Sequence, residues 1–517
     1  MARFTQNLAL YIILKIIYSD AARILAIYPT PSISHQVVFR PITEELVKRG
    51  HELVVLTTDP MYKKGEGPIN LTEIDLHDIS YESWRPILSS AKFYNGDIVF
   101  QMEKIVHASF EVLDKQFQVK EVKDLMKGKG KFNLLLSEAG VRAMTVFSHI
   151  YKVPVIRISS HGAISFLYEE FGAPTHLLFY PDYVNKKIYN LTMWEKFQII
   201  IRIVSMYARL YKFGELEDNI LKKHFGPNVP SIAELQNNNA LLFVNVNPIW
   251  EGIRPVAPNV IHMGGLPRKP DKPLPEDLQS YLNSAKNGVI YISFGTNVNP
   301  SFLPPDKIQI IVNAFSKLPY NVLWKWNTDE LPGRSNNIKI SKWFPQSDLL
   351  KHPKIKLFIT QGGLQSTDEA ILAGVPCVVI PLLTDQWYNA EKYVHHGIGV
   401  QLELSALTEK SFTSAIQTVI NDKSYRENII RLRTRMSDQP QTPLQRAVWW
   451  IEYVLRHGGA KHLRPPTINM TWAEYYELKL VAVVLTAVFL MLTVLHILFK
   501  LLLNCYKSQS GKKTKVN

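Results

Sequence analysis

His35 and Glu138 are the side chains of this 517-residue chain best placed to move a proton. Arg23–Tyr28 (RILAIY) reads as a strand, Pro29–Ser34 as a loop, and His35 then precedes a helix of about fourteen residues that stops at Gly50. Glu52–Thr57 (ELVVLT) completes a β–α–β unit. Phe132–Glu138 (FNLLLSE) is a further short buried strand with the acid at its carboxyl end. Ligands of parallel sheets sit beyond those ends. There a neutral imidazole can take a proton from a hydroxyl. A carboxylate on the other ring nitrogen would orient the ring and stabilise the imidazolium. The plainer alternatives are a structural histidine, and an N-cap or surface acid at position 138.

A second constellation suits phosphate. Ile355–Thr360 is an apolar strand, Gln361-Gly362-Gly363 follows at once, and Leu364–Ala373 reads as a helix ended by Gly374. Val375–Pro381 is the next strand and Asp385–His396 the next helix, which makes another βαβ unit. The glycine turn presents backbone N–H groups and a helix N-terminus, a natural seat for an anion. The chain has no G-x-G-x-x-G, no G-x-x-x-x-G-K-[ST] and no D-x-D, which disfavours dinucleotide, P-loop and metal–diphosphate chemistry. Base-assisted attack of a hydroxyl on an activated sugar fits what remains. A membrane-tethered binding protein using the same cleft is the competing class.

The elements around these residues fall into two halves. Residues 59–130 show little regular pattern, Val153–Ser159 is a strand, Ser160–Tyr183 reads as a long irregular loop, and Trp194–Phe213 as an apolar, basic helix. That aromatic-rich insertion suits an apolar ligand pocket, an ordinary core or a membrane contact. Ala240–Val246 is a strand, and the proline-rich stretch Pro248–Pro275 marks a linker with a boundary near residue 265. Gly288–Gly295 (GVIYISFG) opens the second half, followed by a helix over Pro305–Lys317 and a strand over Asn321–Trp326.

Both ends read as targeting segments. Residues 1–21 carry Arg3, an apolar stretch and a small-residue exit, the form of a secretory signal peptide. Leu480–Phe499 is twenty residues without a formal charge, enough to cross a bilayer, and lysines follow it in 500–517. The positive-inside rule places that basic tail in the cytosol and the body in the lumen. Lys513 and Lys515, three and five from the end, match a dilysine-type signal for the endoplasmic reticulum, or a plain solvated tail. Asn70, Asn190 and Asn469 head glycosylation tripeptides. The net charge of +14 is scattered and accompanies no nucleic-acid motif, so a membrane-associated protein is the better account and no nucleic acid is expected. The two cysteines, Cys377 and Cys505, provide no zinc site, and their settings argue against a disulfide.

Ser34-His35-Gln36-Val37-Val38-Phe39-Arg40-Pro41, the strand 132–138, GGLPRKPDKPLP at 264–275, the whole 343–386 segment and residues 438–466 together resemble the membrane-bound UDP-glycosyltransferases of the UDP-glucuronosyltransferase family over nearly the full chain. The resemblance implies a GT-B fold: an α/β protein of two Rossmann-like, doubly wound domains facing a cleft, plus a C-terminal transmembrane helix. The organisation expected is 1–21 signal peptide, 22–265 acceptor domain, 266–440 UDP-sugar domain, 441–479 helices returning to the first domain, 480–499 transmembrane helix and 500–517 cytosolic tail.

By position, His35 would be the base and Glu138 its partner. Trp343 would stack on uracil, and Gln346 would contact the nucleoside. Gln361, Gly362, Gly363 and Ser366, with Thr296, would bind the diphosphate, and Glu369 the ribose. Asp385 and Gln386 would hold the sugar, with Gln365 nearby in the donor site. Taken alone, Ser366–Glu369 is also a capping box, Trp343 a core residue, and Asp385-Gln386 a helix cap. Gln361, Gln365 and Glu138 stand where many members carry His, Asn and Asp. The resemblance implies metal-independent, inverting transfer from UDP-glucose or UDP-glucuronate to a small lipophilic alcohol or phenol, with no cofactor. It also brings a homo-oligomer into view. The QGGLQS form resembles insect members, which favours glucose. An inactive, membrane-anchored UDP-sugar or small-ligand binder is the alternative.

Overall fold

The computed structural model describes residues 21–88, 96–265, 272–468 and 470–513, the last five by backbone alone. Residues 1–20 of the expected 1–21 signal peptide, the middle of the 264–275 motif, Asn469 and Lys515 lie outside the described residues, and of Lys513 only the backbone is described. Two units result, one ending at Arg464 and one beginning at Pro465.

The first unit is built on two wholly parallel sheets. One has the order β3-β2-β1-β4-β5-β6-β7, from β1 (Arg23–Tyr28), β2 (Glu52–Thr57), β3 (Leu71–Asp75), β4 (Leu134–Glu138), β5 (Val155–Ser159), β6 (Asn239–Val244) and β7 (Val260–His262). The other has the order β10-β9-β8-β11-β12-β13, from β8 (Val289–Ser293), β9 (Asn321–Lys325), β10 (Ile338–Ser341), β11 (Ile355–Thr360), β12 (Cys377–Val379) and β13 (Gly399–Gln401). Both follow the Rossmann order, and each reverses direction between its first and fourth strands, β1/β4 and β8/β11. Such reversals open a crevice at the carboxyl ends of the strands.

The strands are near-continuous apolar runs because helices cover both faces of each sheet. Their alternation decides which core each side chain joins. Ile24, Ala26 and Tyr28 pack with Val38, Phe39 and Ile42, while Leu25 and Ile27 point to the opposite face with Leu135 and Phe147. In the second sheet Ile290 and Ile292 join Ile311 and Phe315, and Tyr291 stacks on Phe358 at 5.1 Å across the β8/β11 register. The late helix Pro443–His457 returns to the first sheet. It buries Ala447, Val448, Ile451 and Val454 among Val38, Ile42 and Leu46.

Several local expectations change. His35 lies in the first turn of a helix, Ile33–Lys48, rather than in the loop before it. The described residues of 59–130 include β3 and the helices His77–Leu88, Ile98–Gln116 and Lys120–Met126. Their apolar period is broken because Gln101 and Gln116 occupy buried positions and β3 is a half-exposed edge. The loop 160–183 contains the helix Ser165–Glu170. The expected helix over 194–213 runs Met193–Phe225, started by a Thr192/Glu195 capping box. The proline-rich stretch includes a short helix, Pro248–Glu251, and the edge strand β7.

Among the described residues one helix is long and apolar enough to cross a membrane, over Leu478–Ser508 in the second unit. Trp472 stacks on Tyr476 at 5.6 Å just before it, both exposed. Amphipathic rings of this kind favour a membrane–water interface.

Candidate active site

At the β1/β4 reversal, His35 Nδ1 lies 2.6 Å from Glu138 Oε1. The carboxylate can only accept there, so Nδ1 carries the hydrogen and Nε2 keeps its lone pair. Glu138 Oε2 accepts from the Thr30 backbone N–H at 3.2 Å, which fixes the carboxylate to the loop that leads to the histidine. Glu138 is 4% exposed and His35 23%, so the acid is sealed and the imidazole is open on one side. The methylene that distinguishes Glu from Asp is accommodated, since the longer side chain reaches from the buried end of β4 to hydrogen-bond distance.

A second histidine faces the same space. His161, two residues past β5, donates from Nδ1 to the Gly162 carbonyl at 2.7 Å. Its ring meets His35 edge-on, with centroids 5.7 Å apart, and Tyr183 at 4.9 Å. Burial pushes the His161 imidazole below its usual range and His35 adds to that, against the pull of Asp385. His161 is not among the residues expected at the site, because it sits inside an aromatic loop. One signal does point to it: it stands at the same carboxyl edge as Glu138.

The β8/β11 reversal holds the glycine turn. Gly362 has φ +88°, and a Cβ there would lie 2.8 Å from Val379 Cγ1, so only glycine fits. Gly363 is the N-cap of the helix Leu364–Ala373, and no side chain caps that end. The first-turn N–H groups remain available to an anion. Gln361 accepts from Thr360 Oγ1 at 3.1 Å and packs so tightly on Gly295 that a side chain there would collide with it. Thr296 is exposed beside it.

The capping-box alternative for Ser366–Glu369 is corrected by the structure. The helix starts earlier, with Gly363 as its N-cap, and Gln346 Nε2 instead donates to Ser366 Oγ at 3.1 Å and Glu369 Oε2 at 2.7 Å. Gln346 Oε1 in turn accepts from Tyr291 at 3.0 Å. Trp343 is 64% exposed, which removes the core alternative. Lys325 Nζ lies 4.9 Å from the centre of its ring and donates to the Gly295 carbonyl at 2.8 Å. Burial pushes the Lys325 ammonium down to about 8. This lysine at the end of β9 is a further residue of the site that sequence pattern alone does not mark, although the strand is legible.

Asp385 and Gln386 begin the helix Gln386–His395, and neither caps its backbone. Asp385 is held by Thr384 Oγ1 at 3.2 Å and Asn389 Nδ2 at 3.0 Å, and burial pushes its carboxyl up. Gln386 Oε1 accepts from the Leu382 and Leu383 N–H groups, both at 2.8 Å, which leaves only its Nε2 for a ligand. Gln365 Nε2 donates across the cleft to the Ser160 carbonyl at 3.1 Å, so its side chain ties the halves together. Gln101 from the first half bonds both Leu382 O and Thr384 N, at 3.0 and 2.9 Å. It thereby steadies the loop that leads to Asp385. Away from the cleft, Asn190 is exposed, whereas Asn70 Nδ2 is spent on the Val47 and His51 carbonyls at 2.9 and 2.8 Å. That engagement opposes glycosylation of Asn70 in the folded chain.

Two Rossmann-order sheets with a histidine–carboxylate pair at one switch point and an uncapped glycine turn at the other define a GT-B glycosyltransferase. Solved structures share the fold: the glycotransferase of kitacinnamycin (TM-score 0.58, 19% identity, 84% of this chain and 99% of that one) and glycosyltransferase VinC in complex with DTDP (TM-score 0.56, 15% identity, 84% and 100%). The chain belongs to the UDP-glucoronosyl and UDP-glucosyl transferase family, whose sequence model matches residues 23–516. Similar curated proteins include an ecdysteroid UDP-glucosyltransferase of Spodoptera littoralis nuclear polyhedrosis virus, 32% identical over 91% of this chain and 95% of its own. UDP-glycosyltransferase UGT5 of Dactylopius coccus is 31% identical over 92% and 90%. UDP-glucuronosyltransferase 2B17 of Homo sapiens is 31% identical over 95% and 94%. The protein is thus an enzyme that transfers a sugar from a UDP-sugar.

Proposed function

We propose that the chain transfers glucose, with inversion and without metal or cofactor, from UDP-glucose to a hydroxyl of a small lipophilic alcohol or phenol. The observation that carries this is the 2.6 Å His35–Glu138 bond at the mouth of the first sheet, which leaves Nε2 as the open base. Nε2 takes the acceptor's proton, and the oxygen attacks the anomeric carbon. The bond to the UDP oxygen breaks in the same displacement, which inverts the anomeric centre. UDP withdraws toward the N-terminus of the helix Leu364–Ala373, whose backbone N–H groups take up the diphosphate charge. Trp343 offers its exposed face to uracil, Gln346 and Glu369 the nucleoside and ribose contacts, and Asp385 with Gln386 Nε2 the sugar hydroxyls.

Glucose is supported by the names of the viral ecdysteroid UDP-glucosyltransferase and of UDP-glucosyltransferase 2 of Dactylopius coccus, and a hydroxylated steroid joins the acceptor classes through the viral name. The apolar helix over Leu478–Ser508 supports a single-pass anchor, and the human relatives are compatible with one. We place the catalytic body in the lumen of the endoplasmic reticulum. The deciding experiment measures UDP release from UDP-glucose and UDP-glucuronate against phenols, alcohols and a hydroxylated steroid, with and without EDTA. Glucose should be preferred and EDTA should have no effect. Release from UDP-glucuronate alone would reverse the sugar assignment, and release from neither would leave a binding protein.

Two substitutions sharpen the site. Trp343→Ala should raise KM for the UDP-sugar about 5- to 150-fold with little change in kcat, because base–aromatic stacking is worth about 1–3 kcal/mol. Glu138→Asp withdraws the carboxylate by one methylene from a 2.6 Å contact. Turnover should fall about 10- to 100-fold, the worth of a hydrogen bond to a charged group, while UDP affinity measured by calorimetry stays unchanged.

A further inference from the structure

The transfer mechanism above gives Asp385 a sugar hydroxyl to hold and leaves His161, on the other side of the cleft, without a role. His161 stands on the loop after β5 in the first half, and Asp385 heads the helix Gln386–His395 in the second. Gln365 Nε2 holds the Ser160 carbonyl at 3.1 Å, which seats the loop bearing His161 against the helix after the glycine turn, and Asn389 ties Asp385 to the Gly362 carbonyl of that same turn at 3.0 and 2.8 Å. The His161 Nδ1 contact at 2.7 Å is to a carbonyl oxygen, which can only accept. Nδ1 therefore carries the hydrogen, and the neutral ring presents Nε2 as a bare lone pair. His161 Nε2 makes no hydrogen bond to protein among the described residues. Its counterpart is also an acceptor: Asp385 receives Thr384 Oγ1 and Asn389 Nδ2 and has lone pairs to spare. With the imidazole neutral and the carboxyl ionised, neither group can donate to the other. They need O–H donors between them, and the adjacent hydroxyls of a hexose supply two.

The two histidines also differ in backing. His35 is held by a carboxylate, which stabilises the imidazolium and suits a base. His161 is held by a neutral carbonyl and is half-buried beside another imidazole, which suits a ring that stays neutral and holds a hydroxyl.

We infer that His161 Nε2 accepts a hydrogen bond from one hydroxyl of the transferred hexose, next to the hydroxyl that Asp385 holds, and so reads the sugar from the acceptor-domain side. The inference rests on the transfer reading proposed above and assigns the first half of the chain a share in donor recognition.

The test uses the full-length, membrane-extracted enzyme with one fixed acceptor, UDP-glucose and its 2-, 3-, 4- and 6-deoxy analogues, or the same series on whichever UDP-hexose is used best. His161→Phe keeps a flat ring and removes the lone pair. His161→Gln restores an acceptor oxygen near the Nε2 position. His161→Phe should lower kcat/KM for the parent sugar about 2- to 13-fold, the range of a single neutral hydrogen bond. It should cause no further loss on one particular deoxy sugar and keep the wild-type discrimination at the other positions. His161→Gln should recover part of the loss, and UDP affinity should be unchanged in both. A uniform loss across all deoxy sugars, or a wild-type rate in His161→Phe, overturns the inference while leaving transfer intact. A wild-type enzyme that releases UDP from no sugar overturns the transfer reading itself, and this one with it.

Discussion

Replacing His35 with alanine is expected to lower kcat by about 10²–10⁴, the usual contribution of a positioned general base, while UDP still binds with near-normal affinity. The separation follows from the geometry. His35 and Glu138 belong to the β1/β4 switch point, whereas the glycine turn, Gln346 and Trp343 belong to the other sheet. The alanine variant also leaves Glu138 with its bond from Thr30, so the acid is not stranded without a partner. UDP release and UDP binding, measured on the same preparation, decide the matter. Near-normal turnover in His35→Ala would show that the proton leaves by another route.

Lys392→Ala is expected to cost about 3–5 kcal/mol of stability, as breaking a buried ion pair from one side does. Lys392 Nζ lies 2.9 Å from Glu251, with side-chain exposures of 0% and 6%. Glu251 ends a short helix of the first half, and Lys392 sits on the helix that begins at Gln386. The pair is therefore a clamp between the halves, on the helix that follows Asp385. Burial pushes the lysine down to about 8 against the attraction of the carboxylate, so the site is costly and depends on both partners. The ammonium also lies 3.7 Å from the centre of the Tyr388 ring, a cation–π attraction that alanine cannot supply. A double variant, Glu251→Gln with Lys392→Met, leaves no unpaired charge and should be markedly less destabilised than Lys392→Ala. Thermal midpoints and protease sensitivity of the three proteins check this. Equal midpoints for wild type and Lys392→Ala would mean that water reaches the pair in solution.

The same two regions show how legibility divides. VVIP, FIT-QGG and LLLSE are apolar runs closed by polar residues, proline or glycines, and that local pattern is enough to place a strand end and hence a site edge. Helices such as Ile98–Gln116 are hidden because buried Gln101 and Gln116 satisfy distant backbone and side-chain groups, partners no local window contains. His161 is hidden for a related reason. Nothing near it in sequence distinguishes it from a loop histidine until β5 sets it beside His35 and the second half brings Asp385 across.

What the sequence determined by itself was the set of parts: a base at one strand end, an acid at another, a glycine turn before a helix, and an apolar terminal segment. Backbone stereochemistry and short-range periodicity suffice for these. Only the tertiary structure decided which parts meet. The reach of Glu138 to His35, the reassignment of Ser366 and Glu369 to Gln346, the spending of Gln365 across the cleft and the Glu251–Lys392 clamp all join residues far apart in the chain. Such pairings are set by how two sheets pack, and packing is a property of the whole fold rather than of any segment.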